Sequence, residues 1–124
     1  MRFETALGAL FVLAVTPALA DDPMAGYYGN TIVSTGGLGE VHSHYRPDHS
    51  FDMVGSAFGI TRTFKGTWAD DGKGKICRTF AGEVPPNTAN PLCTPLPPHK
   101  VGDSWSLTTP DGSTRALTLK AGVQ

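Results

Sequence analysis

The chain has 124 residues, with 10 Lys or Arg, 11 Asp or Glu and a formal net charge of −1 at pH 7. This length is that of one ordinary domain, which can bury one modest hydrophobic core. The near-neutral charge and the lack of any basic run argue against a nucleic-acid partner.

Residues 1–20 have the pattern of a secretory signal peptide. Arg2 supplies a small positive region, Ala6–Val15 is an apolar run, and Ala18-Leu19-Ala20 is a small-x-small cleavage site. We therefore predict cleavage after Ala20 and export of residues 21–124, as a single domain, to the periplasm or the medium. No other apolar run is long enough to cross a bilayer, so we expect no membrane span.

Thr31–Thr35 is rich in β-branched residues and is predicted to be a strand. Gly36, Gly37 and Gly39 follow it and predict a flexible turn. They do not form a phosphate-binding loop, because no Lys-Ser pair follows and no helical pattern begins there. We expect no cofactor.

Val41–Val54 holds three of the four histidines and the clearest hairpin signal. Two strand-like segments, Val41–Tyr45 and Phe51–Val54, flank a turn in which Pro47 suits the second position. The sequence leaves two registers open, and the register decides which way the histidines face.

In one register the loop has an even number of residues, and the histidines share a face with the apolar residues of the second strand. In the other, Pro47, Asp48 and His49 form a three-residue loop, with His49 in the left-handed conformation. We favour the second register because it separates apolar from polar residues, and a slip by one residue would destroy that separation. Its apolar face holds Val41, Tyr45, Phe51 and Met53, and its polar face holds His42, His44, Arg46 and Asp52.

This register places Asp52 opposite His44, with His42 one step along the same face. Alternate strand residues are about 6.6 Å apart, so His42, His44 and Asp52 are candidate ligands of a zinc or copper ion. His44 and Asp52 are also candidates for acid–base chemistry. The plainer interpretation is a solvated polar face.

Ile60–Trp68 alternates between apolar and Thr/Lys positions, as in a half-buried strand. Asp70–Gly74 predicts a turn, and Lys75–Phe80 returns as the partner strand. Ser104–Thr108 and Thr114–Lys120 form a last pair of strands, separated by the strong turn signal of Pro110–Ser113.

Pro85–Pro98 contains six prolines and is too long for a casual loop in a small domain. Cys77 and Cys93 both lie in the predicted exported part, where a disulfide is the expected state. By closing the loop between Cys77 and Cys93, the disulfide would stabilise the fold by about 3 kcal/mol. It would also attach the middle of the proline-rich segment to the hairpin that contains Cys77. We predict an ordered strap across the sheet, with a mobile linker as the alternative.

Apart from the signal peptide, no segment has a helical period over three turns. With about seven or eight short strands, the expected fold is all-β, a small antiparallel meander barrel or sandwich with one disulfide.

Three arginines, Arg62, Arg78 and Arg115, occupy the same alternate positions as apolar residues of their strands, so they are predicted to point to the same face as those residues. A guanidinium cannot be buried cheaply without a partner, so each needs a carboxylate, an aromatic ring or an open mouth. One interpretation is that they flank the sheet and stack on tryptophan. The other is that they bind an anionic group in a cavity, with walls formed by Tyr45, Phe51, Met53, Phe64 and Trp68.

Gly66-Thr67-Trp68 before a hairpin, with Arg115 on the last strand, resembles the lipocalin or calycin arrangement, in which Gly-x-Trp packs under an arginine from a late strand. The Tyr45–Phe51 hairpin and Lys65–Trp68 are similar to those of small exported bacterial lipocalin-like domains of unassigned function. The resemblance covers roughly residues 27–121 and implies a barrel with a small apolar or aromatic ligand. The chain is shorter than a typical lipocalin, so a shallow barrel is expected.

Our leading hypothesis is an exported module that binds a small amphipathic or anionic ligand in a shallow barrel. One alternative is a cofactor-free lyase or isomerase that uses His44 with Asp52, or Tyr45. Another is a surface metal-binding protein that uses His42 and His44, and a third is a structural protein without a pocket. These alternatives differ in whether the barrel holds a cavity and in which of these side chains face it.

Overall fold

The computed structural model describes residues 22–37, 39–109 and 112–124. The predicted signal peptide and its cleavage site lie outside the described residues, as do residue 38 in the first glycine turn and residues 110 and 111 in the last turn. Within the described chain, no helix has the length and apolarity needed to cross a bilayer.

Eight antiparallel strands form one sheet that curls into half a barrel, so the predicted all-β fold is confirmed. A short 3₁₀ turn, Ala25–Tyr27, precedes them. The strands are β1 Thr31–Gly36, β2 Gly39–Tyr45, β3 Ser50–Ala57, β4 Ile60–Asp70, β5 Lys75–Ala81, β6 Leu92–Pro95, β7 Ser104–Thr108 and β8 Thr114–Lys120.

The sheet order is β6-β5-β4-β3-β2-β1-β8-β7. The first six strands are a meander, and the last hairpin returns so that β8 pairs with β1. The half-barrel therefore stays open between two edge strands, β6 and β7. Turns and connections alternate between its two ends, because consecutive strands run in opposite directions.

The β2–β3 hairpin has the favoured register, with Tyr45 opposite Phe51. The Arg46 N–H donates to the Ser50 carbonyl at 3.1 Å, which closes the three-residue loop. His49 has a φ of 72°, so the left-handed position falls on histidine as predicted.

One end of the half-barrel, which we call the closed end, is filled by the 3₁₀ turn. Met24 and Tyr27 are each 1% exposed. The Tyr27 hydroxyl donates to the Pro97 carbonyl, and its ring centroid lies 6.4 Å from that of Tyr45. Burial raises the pKa of Tyr27 above its ordinary value. The side chain of Tyr27 therefore fills this end of the barrel, and we call it the plug.

The predicted disulfide between Cys77 and Cys93 is present and joins directly opposed residues of β5 and β6. The side chain of Asn90 reinforces this corner, because it accepts from the Phe80 N–H at 2.9 Å. The proline-rich segment is thus bonded to the sheet near its middle. Residues 92–95 of this segment form a strand, although prolines disfavour strands.

Candidate ligand-binding cavity

Opposite the closed end, the half-barrel encloses a cavity of about 850 Å³. Its rim includes Gly37 after β1, and Thr109 and Ser113 around the β7–β8 turn. Its walls are mainly apolar side chains from the inner face of the sheet, among them Ile32, Val41, Met53, Phe64, Phe80, Leu92, Trp105, Leu107 and Leu117. The segment 85–89 covers one side.

Arg78 is the most deeply buried charged residue of the cavity, with 5% of its surface exposed. Its Nε donates to the Tyr45 hydroxyl oxygen at 2.6 Å. Its Nη1 donates to the carbonyls of Ile76 at 3.2 Å and Leu92 at 3.3 Å. In the described parts of the chain no carboxylate pairs with Arg78, so the partners of its charge are these dipoles and the Tyr45 ring, whose centroid lies 5.7 Å from the guanidinium carbon.

Arg115 also lines the cavity but lies near the rim, and its donors are used differently. Its Nε donates to the Ser34 hydroxyl at 2.6 Å, and its two terminal nitrogens donate to the carbonyls of Ser34, Gly36 and Gly39 at 3.0–3.2 Å. Burial lowers the pKa of Arg115. This arginine joins β8 to β1 and to the start of β2.

The charge of the cavity wall has one sign. Arg78 and Arg115 are its charged residues, and the wall includes no Asp, Glu or Lys from the part of the chain that the structure describes. The described wall therefore combines apolar side chains with guanidinium groups that have no carboxylate partner among the described residues.

The residues predicted to bind a ligand divide into three groups. Tyr45, Met53, Phe64, Arg78 and Arg115 line the cavity. Phe51 and Trp68 belong to the packed core instead, where Phe51 contacts the rings of Tyr45 and Phe80 and Trp68 contacts that of Tyr28. Arg62 is half exposed, with an ion pair to Glu83 and its guanidinium carbon 5.7 Å from the Phe64 ring centroid. Arg62 is in phase with the inward-facing residues of β4, but it lies near the open end of this strand, where its side chain reaches the surface.

The candidate metal and acid–base residues His42, His44 and Asp52 lie on the outer face. His44 Nδ1 is 2.8 Å from Asp52 Oδ2, and His42 Nε2 is 2.6 Å from Glu40 Oε2. Asp52 also pairs with Arg46. The other ring nitrogens, His42 Nδ1 and His44 Nε2, lie 3.4 Å and 3.2 Å from the Gln124 carbonyl oxygen, so the two histidines meet at the C-terminal backbone.

Among residues 22–37, 39–109 and 112–124, no group of three or more His, Cys, Asp or Glu side chains is arranged to hold a metal ion. Of the three acid–base candidates, Tyr45 lines the cavity, whereas His44 and Asp52 do not.

The surroundings of Trp68 differ from those implied by the resemblance. Its ring stacks on His49 with centroids 4.1 Å apart, and its Nε1 donates to the Arg46 carbonyl at 3.1 Å. Arg115 instead bonds to β1 and β2, as described above. The tryptophan therefore anchors the β2–β3 turn.

Several cavity residues were missed by sequence analysis. Ser43 lies between Val41 and Tyr45 on the inner face of β2, and this parity could have identified it. Thr94 and Leu92 could not be found in the same way, because the prolines around them hide β6. The wall residues 85–89 carry no strand pattern at all.

No family model, curated protein or solved structure matches this chain. The function is therefore argued from the geometry of the cavity alone.

Proposed function

We propose that the protein binds a small anionic amphipathic molecule inside the half-barrel. The observation that carries this proposal is Arg78, a buried guanidinium that faces an apolar cavity without a described carboxylate partner. Removing a cation from water without a counter-charge costs several kcal/mol, roughly, and an anionic ligand would offset that cost.

The rest of the cavity suits the apolar part of such a ligand. Its volume of about 850 Å³ lies within the usual range of about 300–1,000 Å³ for small-molecule sites. Aromatic and aliphatic side chains such as Phe64, Phe80 and Leu107 provide the surface for a tail or a ring. We place this binding in an exported compartment, because the Cys77–Cys93 disulfide is typical of oxidising surroundings.

The experiment compares four decyl compounds that share a tail and differ in charge: decanoate, decyl phosphate, decanol and decyltrimethylammonium. Each is titrated calorimetrically, below its micelle concentration, into wild type and into Arg78→Met. We expect the two anions to bind wild type more tightly than the alcohol or the cation. Arg78→Met should weaken anion binding by about ten- to hundredfold and leave decanol unchanged.

Arg62→Met is the matched control, because Arg62 is paired with Glu83 outside the cavity. It should bind all four compounds like wild type. The proposal would be overturned if no anion bound, if the cation or the alcohol bound as tightly as the anions, or if Arg62→Met and Arg78→Met had equal effects.

A further inference from the structure

The hydrogen bonds of Arg78 leave one nitrogen free. Nε is engaged by Tyr45, and both hydrogens of Nη1 are directed to the carbonyls of Ile76 and Leu92. Nη2 carries two further hydrogens, and no acceptor for them is found among residues 22–37, 39–109 and 112–124. Arg78 therefore offers a single NH₂ edge to a ligand.

Tyr45 supplies a neighbouring donor. Its hydroxyl oxygen accepts from Arg78 Nε at 2.6 Å, so its own hydrogen is left to donate elsewhere. The described chain contains no acceptor bonded to this O–H. Tyr45 is 2% exposed and lies at the closed-end terminus of β2, beside the Tyr27 plug. The free donors of Arg78 and Tyr45 thus belong to the floor of the cavity.

Two neutral hydroxyls, those of Ser43 and Thr94, also line the cavity. Ser43 and Thr94 are each 7% exposed, and their side chains have no hydrogen-bond partner in the described residues. Near the rim, four of the five N–H groups of Arg115 donate to Ser34, Gly36 and Gly39. Arg78 keeps two N–H groups for a ligand and lies at the floor, whereas the bonds of Arg115 hold it against the strands at the rim.

We infer that the ligand of the proposed binding function is a monocarboxylate that enters head-first. A carboxylate has two oxygens and one negative charge, which match the Arg78 Nη2 edge, the Tyr45 hydroxyl and the one guanidinium at the floor. A phosphate monoester carries a charge of about −1.5 to −2 at pH 7 and three acceptor oxygens, so it would bring excess charge into a site of low dielectric. This inference rests on the proposed function.

Head-first entry follows from where the two arginines lie along the strands. Arg78 pairs across to Trp68, which belongs to the core at the closed end, whereas Arg115 bonds to Gly36 and Gly39 at the rim. A carboxylate at the floor directs its tail along the apolar walls towards the rim.

The head group is tested with wild type, Tyr45→Phe and Tyr28→Phe. Tyr28→Phe is the matched control, since its hydroxyl bonds to Asp22 at the surface. We expect decanoate to bind wild type at least tenfold more tightly than decyl phosphate. Tyr45→Phe should weaken decanoate by about tenfold, through the loss of a donor to a charged group, and should leave decanol unchanged. Tyr28→Phe should bind like wild type.

The orientation is tested by quenching of tryptophan fluorescence with brominated decanoates. The chain has two tryptophans, and both lie towards the closed end: Trp68 is 6.4 Å from Tyr45 and Trp105 is 6.5 Å from Tyr27, between ring centroids. At saturation, 2-bromodecanoate should quench more strongly than 10-bromodecanoate.

Stronger quenching by the 10-bromo compound would overturn head-first binding. Equal or tighter binding of decyl phosphate, or an unchanged affinity of Tyr45→Phe for decanoate, would overturn the monocarboxylate assignment. Each of these outcomes leaves anion binding itself intact. The absence of binding by both anions would instead refute the proposed function, so the two failures are distinguishable.

Discussion

The two ends of the half-barrel are built from the same strands with the same inward parity, yet one is filled and the other is hollow. At the closed end, Met24 and Tyr27 enter the barrel and pack against the core. Towards the open end, the inner face borders the cavity, and among the described residues the segment 85–89 covers one side of it. The comparison teaches that the strands specify a concave surface, and segments outside the strands decide which part of it becomes core.

The largest expected effect is at the closed end. Tyr27→Ala should lower the free energy of unfolding by about 3–5 kcal/mol, because it removes the aromatic plug and leaves a cavity. Tyr27→Phe keeps the ring and loses only the bond to the Pro97 carbonyl, so it should cost about 1 kcal/mol. Urea denaturation measures both. A loss below about 1 kcal/mol for Tyr27→Ala would show that the 3₁₀ turn is not part of the stable core.

The second effect concerns the disulfide that joins the proline-rich segment to β5. Replacing Cys77 and Cys93 together by Ser should lower the free energy of unfolding by about 3 kcal/mol, since the unfolded chain gains loop entropy. Reduction of wild type should have a similar effect in the same denaturation experiment. If the double variant were as stable as oxidised wild type, the pairing of β5 with β6 would not depend on the disulfide.

The third effect separates the two cavity arginines by the same substitution. Arg115→Met removes the donors to three carbonyls and a hydroxyl, so it should cost about 1–3 kcal/mol of stability. Arg78→Met also removes an unpaired buried charge, and its stability should stay within about 1 kcal/mol of wild type. Denaturation together with decanoate titration checks this prediction. The assignment of roles would be reversed if Arg78→Met unfolded more easily than Arg115→Met.

The smallest effect is at the tip of the β3–β4 hairpin, near the rim. Phe58 has a φ of 53° and is 82% exposed, and Gly59 follows with a φ of 77°. Asn-Gly suits a two-residue turn with positive φ at both positions, so Phe58→Asn should raise stability by about 0.5–1 kcal/mol. Phe58→Ala keeps the strain and serves as the control. A thermal melt in which Asn gave no gain over Ala would contradict a backbone origin of the effect.

Much of the fold could be predicted from local patterns. Seven of the eight strands follow from alternation and turn residues, and the β2–β3 register follows from a single requirement, that apolar residues share a face. The pairing of Cys77 with Cys93 required no geometry, because the chain has two cysteines. β6 was missed because prolines mask its edge-strand character.

The candidate site was predicted less completely, and for a physical reason. Parity shows that Phe51, Trp68, Arg62 and Arg78 point inward, but it does not show at which height along the barrel each one lies or what it meets there. Phe51 and Trp68 are buried in the core, whereas Arg62 reaches Glu83 at the surface. Of these four residues, Arg78 is the one that faces the cavity with a free edge.

The sequence by itself determined seven of the eight strands and the disulfide, and it favoured the observed register of the histidine hairpin over the alternative, because these depend on neighbours in the chain and on the two-residue period of a strand. Only the tertiary structure decided that His42, His44 and Asp52 lie outside the barrel and that Arg78 and Tyr45 meet at the cavity floor. Those relations depend on how the sheet curls and on where the 3₁₀ turn docks, and both are set by contacts between residues far apart in the chain.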